Sequence, residues 1–168
     1  MKLYTPLINR VLKIAYDAHH GQVDKGGVPY VFHPAFLAAQ MDTEEDIITA
    51  LLHDVVEDTS VSFADLEREG IPQTVLDALK MLTHIDGGDY MQYINELTKN
   101  PLAVKVKLAD LRHNTIPTRS ETLPPEVATR LKAKNELYAK AILLLENHVV
   151  MGDAKDQLTQ INTSHERK

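Results

Sequence analysis

The stretch DTEEDIITALLHDVVEDT, residues 42–59, decides how the chain is read. Its first half carries the marks of a helix start. Thr43 stands as N-cap with Asp46 three residues on, and acidic side chains fill the first turn, where the helix dipole favours them. Its second half is unlike a surface helix: His53, Asp54, Glu57 and Asp58 are set among Leu51, Leu52, Val55 and Val56. Residues four apart on a helix share a face. One continuous helix would therefore present the imidazole and three carboxylates on one broad side and the aliphatic residues on the other. Such a cluster is either a solvated acidic helix end or a functional site. Carboxylates this close repel one another when ionised, and late in a helix they oppose its dipole. A bound cation offsets both costs, and the apolar neighbours argue against a purely solvated end.

Helical signals extend outward on both sides. Residues 3–19 carry Leu3, Leu7, Ile8, Val11, Leu12, Ala15 and Ala18 at helical spacing, with Pro6 tolerable in the first turn. GQVDKGGVPYVFHP, residues 21–34, reads as a Gly/Pro loop with a short extended piece at 28–32, and a helix follows from Pro34 to Met41. Ser62 and Asp65 start a helix that Gly70 ends. Pro72 opens another to about Thr83, Gly87 and Gly88 break it, and 89–98 is again helical. Asn100 and Pro101 read as N-cap and first residue of the next. AVKVKLAD, residues 103–110, alternates as a strand would. A helix is favoured because no second clear strand exists to pair its backbone groups. Pro124 and Pro125 open a last long helix with Val127, Leu131, Leu137, Tyr138, Ala141 and Leu145 on one face. The expectation is an all-α fold, one domain over residues 1–150, with a polar tail at 151–168.

The composition narrows the chemistry. No apolar run approaches the ~20 residues of a membrane span, and the N-terminus lacks a signal-peptide pattern, so a cytoplasmic protein is expected. The absence of Cys excludes disulfides, thiolate metal sites and a Cys nucleophile. Any metal must be held by histidine and carboxylate, and the chain has eight histidines. The formal net charge of −6 argues against nucleic-acid and membrane partners. It leaves room for a small anionic substrate, because a metal ion and a few cations reverse the sign of one pocket. The adjacent His53 and Asp54 suit a divalent cation with mixed N and O ligands. His33, in PYVFHP, reads on its own as a structural histidine. Asp110 is a single acid on an apolar helix face, and a buried Asp needs a partner.

GGVPYVFHP, ALLHDVVEDT and VKLADLRHN, starting at residues 26, 50 and 106, resemble in order and approximate spacing the motifs of the HD-domain hydrolases. More narrowly, they look like the (p)ppGpp hydrolase branch of the RelA/SpoT homologues, with the resemblance covering residues 3–145. The length is similar to the single-domain small alarmone hydrolases, metazoan SpoT homologues among them, which implies a stand-alone hydrolase without a synthetase segment. The resemblance implies an HD helical bundle with a loop at about 20–33 over one Mn²⁺ ion held by His33, His53, Asp54 and Asp110. It implies that Glu57 and Asp58 serve as general base or water positioner and as proton donor to the leaving ribose 3′ oxygen. The implied reaction removes the 3′-pyrophosphate of ppGpp or pppGpp, giving GDP or GTP. Asn114 matches a nucleoside contact, Lys25 and Arg130 match phosphate contacts, and Lys107, Arg112 and Arg119 are further candidate cations. Tyr30 belongs to the loop packing over the site.

Two departures stand out. Where the family carries Arg-Lys in the loop, with the Arg packed on the guanine base, this chain has Asp24-Lys25. An Asp cannot stack as a guanidinium does; it can hydrogen-bond a guanine edge or pair with Lys25. LADLRHN also exchanges two residues of the family's LADRLHN, which turns the Arg by about 100° around the helix. Base specificity therefore stays open. Another nucleotide (ppApp, NADPH or a nucleoside monophosphate) is the alternative substrate, and a non-enzymatic binding module is the third reading.

Overall fold

The computed structural model describes residues 4–84, 88–119 and 123–165, with 153–165 described by their backbone alone. Leu3 and Gly87, which entered the sequence reading, lie outside the described residues. The helices are α1 (Pro6–Ala18), α2 (Phe32–Ala38), α3 (Glu44–Leu52), α4 (Val55–Asp58), α5 (Phe63–Arg68), α6 (Gln73–Leu82), α7 (Tyr90–Leu97), α8 (Pro101–Asn114) and α9 (Pro125–His165). A 3-10 turn, Pro117–Arg119, follows α8. The fold is all-α. No strand occurs among the described residues. The extended piece expected at 28–32 reduces to one antiparallel bridge between Val23 and Pro29, closed by Asp24 N–H to the Val28 carbonyl at 2.8 Å and Tyr30 N–H to the Gln22 carbonyl at 2.9 Å.

The starts of the helices follow local chemistry. Thr5 caps α1 by accepting from Ile8 N–H at 3.1 Å, ahead of Pro6. Thr43 and Asp46 form the reciprocal capping box at the head of α3, and Ser62 and Asp65 form another at α5. Asn100 accepts from Ala103 N–H at 3.0 Å, with Pro101 at the first helical position of α8. The segment 103–110 is helical, as the missing strand partner required. Gly70 ends the α5 turn with φ at +76°, a conformation that glycine adopts without steric cost.

α3 is the central element. Asp46 through Leu52 are all buried, because α1, α2, α6 and α8 pack around it. α9 lies against α7 and α8 and buries Ala141 and Leu145. On α1, Ile8, Val11 and Ala15 enter the core while Leu12 is exposed, so the buried stripe is narrower than the hydrophobic pattern. α2 starts two residues earlier than expected and ends at Ala38. α9 continues as helical backbone through Gly152 to His165. No helix among the described residues is long and apolar enough to cross a membrane.

The main correction concerns residues 42–59. They do not form one continuous helix. α3 stops at Leu52, His53 and Asp54 form a turn, and α4 is a separate short helix. The physical reason is a side chain competing for a backbone acceptor. His53 Nδ1 lies 2.9 Å from the Ala50 carbonyl. That oxygen would otherwise accept from Asp54 N–H in an uninterrupted helix. The turn re-aims the residues on either side of it.

Leu52 is wholly buried in α3. Leu52→Ala should lower unfolding free energy by about 2–5 kcal/mol. Thr43→Ala, which removes only the cap, should cost about 0.5–2 kcal/mol. Chemical denaturation of the two variants against the parent measures both.

Candidate metal centre

Three parts of the chain meet at the α3–α4 turn. His33 comes from α2, His53 and Asp54 from the turn itself, and Asp110 from α8. His33, His53 and Asp54 offer ligand atoms that all lie within 4.8 Å of one another. Asp110 Oδ1 stands 3.2 Å from His33 Nε2 and 4.0 Å from His53 Nε2. His33 Nε2 is 3.7 Å, and His53 Nε2 2.9 Å, from Asp54 Oδ2. His33, His53 and Asp110 are buried.

The protonation pattern explains why these atoms converge. A backbone carbonyl only accepts, so His53 Nδ1 carries the proton and donates to Ala50. Its Nε2 is then a bare lone pair, buried and without a hydrogen-bond partner, facing a carboxylate that is also an acceptor. Only a cation reconciles these atoms. Without a metal that cation is a proton. Burial disfavours charging His53, but Asp54 and Asp110 outweigh it and raise its pKa. Burial likewise pushes the Asp54 and Asp110 carboxyls up, and the neighbouring imidazoles, with Lys107 beside Asp110, hold both below the usual range. Two imidazole nitrogens and two carboxylates, with no thiolate, suit a divalent metal of the Zn, Mn or Fe type. The residues present therefore fit a metal ion.

Each of these side chains is held from behind. Tyr30 OH donates to Asp54 Oδ2, and burial and the nearby Asp54 carboxylate push its own pKa far up, so it stays a phenol. Asn114 Nδ2 donates to Asp110 Oδ1, and Lys107 Nζ pairs with Asp110 Oδ2 at 2.9 Å. His33 Nδ1 lies 2.6 Å from His113 Nδ1. Metal-binding histidines need their second nitrogen bonded to fix ring and tautomer.

A cavity of about 430 Å³ opens beside the cluster, within the range that holds small ligands. Asp54, Glu57, Asp58 and Asp110 line it, together with Lys25, Lys107, Arg119 and Lys134. Burial raises the Glu57 carboxyl, the His84 N–H at 2.9 Å opposes this, and Asp54 and Asp58 add to it. Burial and then Asp54 raise Asp58. Burial lowers the Lys25 ammonium, with Lys134 and Arg119 adding like-charge repulsion. Lys25 and Lys134 have no carboxylate partner among the described salt bridges. Unneutralised cations crowded into one cavity favour an anionic occupant.

The sequence candidates separate accordingly. Lys25, Lys107, Asn114 and Arg119 line the cavity. Arg130 does not; it is exposed, and α9 turns Leu131, Lys134, Asn135 and Tyr138 inward instead. Arg112 points away from the site and pairs with Glu146 at 2.7 Å, tying α8 to α9. The pairing of Asp24 with Lys25 is corrected. Asp24 Oδ2 accepts from Arg119 Nη2 at 2.9 Å, and its Oδ1 accepts from Gly26 and Val28 N–H at 2.8 and 3.0 Å. Burial alone would raise its carboxyl, but these donors bring it below the usual range. Sequence reading missed His113, although the pattern of Asp110, His113 and Asn114, spaced for one helix face, carried a signal for it.

No family model matches the chain. Over 117 residues it is 33% identical to the bifunctional (p)ppGpp synthase/hydrolase SpoT of Escherichia coli (strain K12), covering 60% of this chain and 16% of that protein. Over 115 residues it is 36% identical to the guanosine-3′,5′-bis(diphosphate) 3′-pyrophosphohydrolase of Haemophilus influenzae, covering 60% of this chain and 17% of that protein. The chain thus spans about one sixth of the length of these relatives. A solved metazoan orthologue of SpoT, described as hydrolysing ppGpp, superposes with a TM-score of 0.65 at 25% identity, over 86% of this chain and 88% of that one.

A divalent cation that binds only the folded cluster should stabilise the protein by about 2.7 kcal/mol at a hundredfold excess over Kd. Differential scanning fluorimetry with Mn²⁺ or Zn²⁺ should show the rise in Tm for the parent. EDTA should reverse it, and Asp54→Ala should lack it.

Proposed function

We propose that the chain is a member of the HD-domain branch of the RelA/SpoT-homologue family and a Mn²⁺-dependent 3′-pyrophosphohydrolase of (p)ppGpp. The observation that carries the reading is the cavity itself. A cation-demanding cluster of His33, His53, Asp54 and Asp110 borders the carboxylates of Glu57 and Asp58 and two ammonium groups, Lys25 and Lys134, that have no carboxylate partner among the described residues. A substrate with phosphates at both ends of a ribose needs metal on one side and cations on the other.

The four residues of the cluster would hold the ion, which would supply Lewis acidity to a water and to the phosphoryl oxygen under attack. Glu57 and Asp58 are the proton-handling pair. One takes the proton of the attacking water, and the other delivers a proton to the leaving ribose 3′ oxygen. Both roles need a carboxyl within reach of the reacting water and the leaving oxygen, and the adjacent Glu57 and Asp58 both line the cavity. The new bond joins the water oxygen to the phosphorus. The bond broken joins that phosphorus to O3′, and the products are pyrophosphate and GDP or GTP. Asn114 contacts the nucleoside. Lys25 takes 5′ phosphate charge, and Lys134 supports it from α9, where Arg130 faces solvent. We assign this unit to residues 1–150, working in the cytoplasm on a small anionic nucleotide.

A second reading keeps the metal chemistry and changes the nucleotide, to ppApp, NADPH or a nucleoside monophosphate. The observation favouring it is Asp24, whose two oxygens are both engaged within the protein. The loop therefore offers no guanidinium at position 24 and no free carboxylate edge for a guanine.

Turnover of a panel of these nucleotides with Mn²⁺ separates the readings. The expected result is GDP and pyrophosphate from ppGpp, lost with EDTA. Turnover of another nucleotide alone would move the substrate. Glu57→Gln should keep metal affinity while kcat falls about 10²–10⁴-fold; unchanged kcat would remove Glu57 from the chemistry.

A further inference from the structure

Arg119 follows α8 in the 3-10 turn, and its guanidinium touches three residues. Nη2 donates to Asp24 Oδ2 at 2.9 Å. Nη1 lies 2.8 Å from His113 Nδ1 and 3.2 Å from Asn114 Oδ1. A guanidinium has donors and no acceptor, so each contact has a forced polarity. His113 Nδ1 must be an acceptor. The proton in the 2.6 Å contact between His113 Nδ1 and His33 Nδ1 therefore belongs to His33. The two rings lie 19° from parallel with centroids 4.8 Å apart, so this contact runs edge to edge, as an N–H···N bond requires. With Nδ1 protonated, His33 Nε2 is left bare toward Asp54 and Asp110. The same logic orients the Asn114 amide. Its oxygen faces Arg119, so its Nδ2 donates to Asp110.

We propose that Arg119, held by Asp24, is a positioning residue that sets the proton pattern of two metal ligands at once, His33 through His113 and Asp110 through Asn114. The inference rests on the metal reading of the cluster but on no particular substrate. It gives Asp24 a role that neither nucleotide binding nor pairing with Lys25 provides: its Oδ1 is pinned by two backbone N–H groups of the loop, and its Oδ2 anchors the guanidinium. Phe36 stacks on His113 with centroids 4.4 Å apart, holding the ring from its face. Without Arg119, His113 is free to present either nitrogen arrangement to His33, and His33 loses its preference for the ligating tautomer.

The test is Mn²⁺ affinity of the full chain by calorimetry, with folding checked by circular dichroism and thermal melting. Arg119→Met should weaken Mn²⁺ binding about 10–100-fold, the usual effect of losing an outer partner of a metal ligand. Arg119→Gln, which keeps a donor, should recover part of the loss. His113→Phe should weaken binding similarly, and the Arg119→Met/His113→Phe double variant should be no worse than the sum of the singles would predict and distinctly less than additive. Ring ¹⁵N NMR should show His33 protonated at Nδ1 in the parent and a mixture of tautomers in Arg119→Met. Parent-like affinity and an unchanged His33 tautomer in folded Arg119→Met would overturn the proposal while leaving the metal reading intact. Failure of the parent itself to bind Mn²⁺ or Zn²⁺ would overturn both.

Discussion

Two imidazole nitrogens and two carboxylates, all electron-pair donors, point at one another in a space largely closed to water. Buried acceptors left facing each other are costly, and the surrounding structure is organised around relieving that conflict with positive charge. The α3–α4 turn exists at the same place for a related reason. The His53 ring takes the Ala50 carbonyl from the helix ladder, which simultaneously ends α3, fixes the ring's tautomer and turns its free nitrogen toward the carboxylates.

Charge is arranged in zones around this point. Lys107 is largely buried and paired with Asp110, and that carboxylate outweighs the burial penalty and keeps the ammonium charged. Lys25, Lys134 and Arg119 share one cavity with the carboxylates of Glu57 and Asp58. The carboxyls there titrate high and the Lys25 ammonium titrates low. Opposed shifts of this kind place groups nearer to the pH at which they exchange protons, a hallmark of working sites more than of structural ion pairs. The net negative charge of the chain is thus compatible with a local site for an anion.

Helix periods, N-caps and Pro or Gly stops act within a turn or two of the chain, and for that reason the all-α class, the helical reading of residues 103–110 and the heads of α3, α5 and α8 were legible in the sequence, whereas α1 starts at Pro6, three residues later than its periodicity suggests. The grouping of His33, His53, Asp54 and Asp110 came only through the resemblance in motif order; read alone, His33 is a structural histidine, and the packing of α2 and α8 on the α3–α4 turn is what brings the four together. The unbroken helix expected over residues 42–59 was not realised, since a single side-chain bond to a carbonyl is invisible to a periodicity argument that counts apolar positions.

What the sequence by itself determined is which residues form helices and which side chains have the chemistry to hold a metal and move a proton. What only the tertiary structure decided is who faces whom. Arg130 faces solvent and Lys134 the cavity, on adjacent parts of one helix. Asp24 reaches Arg119, 95 residues away, instead of its neighbour Lys25. His113 lies against His33 across 80 residues. These pairings depend on how α2, α3, α8 and α9 pack, and packing sums many small long-range contacts that no local pattern encodes.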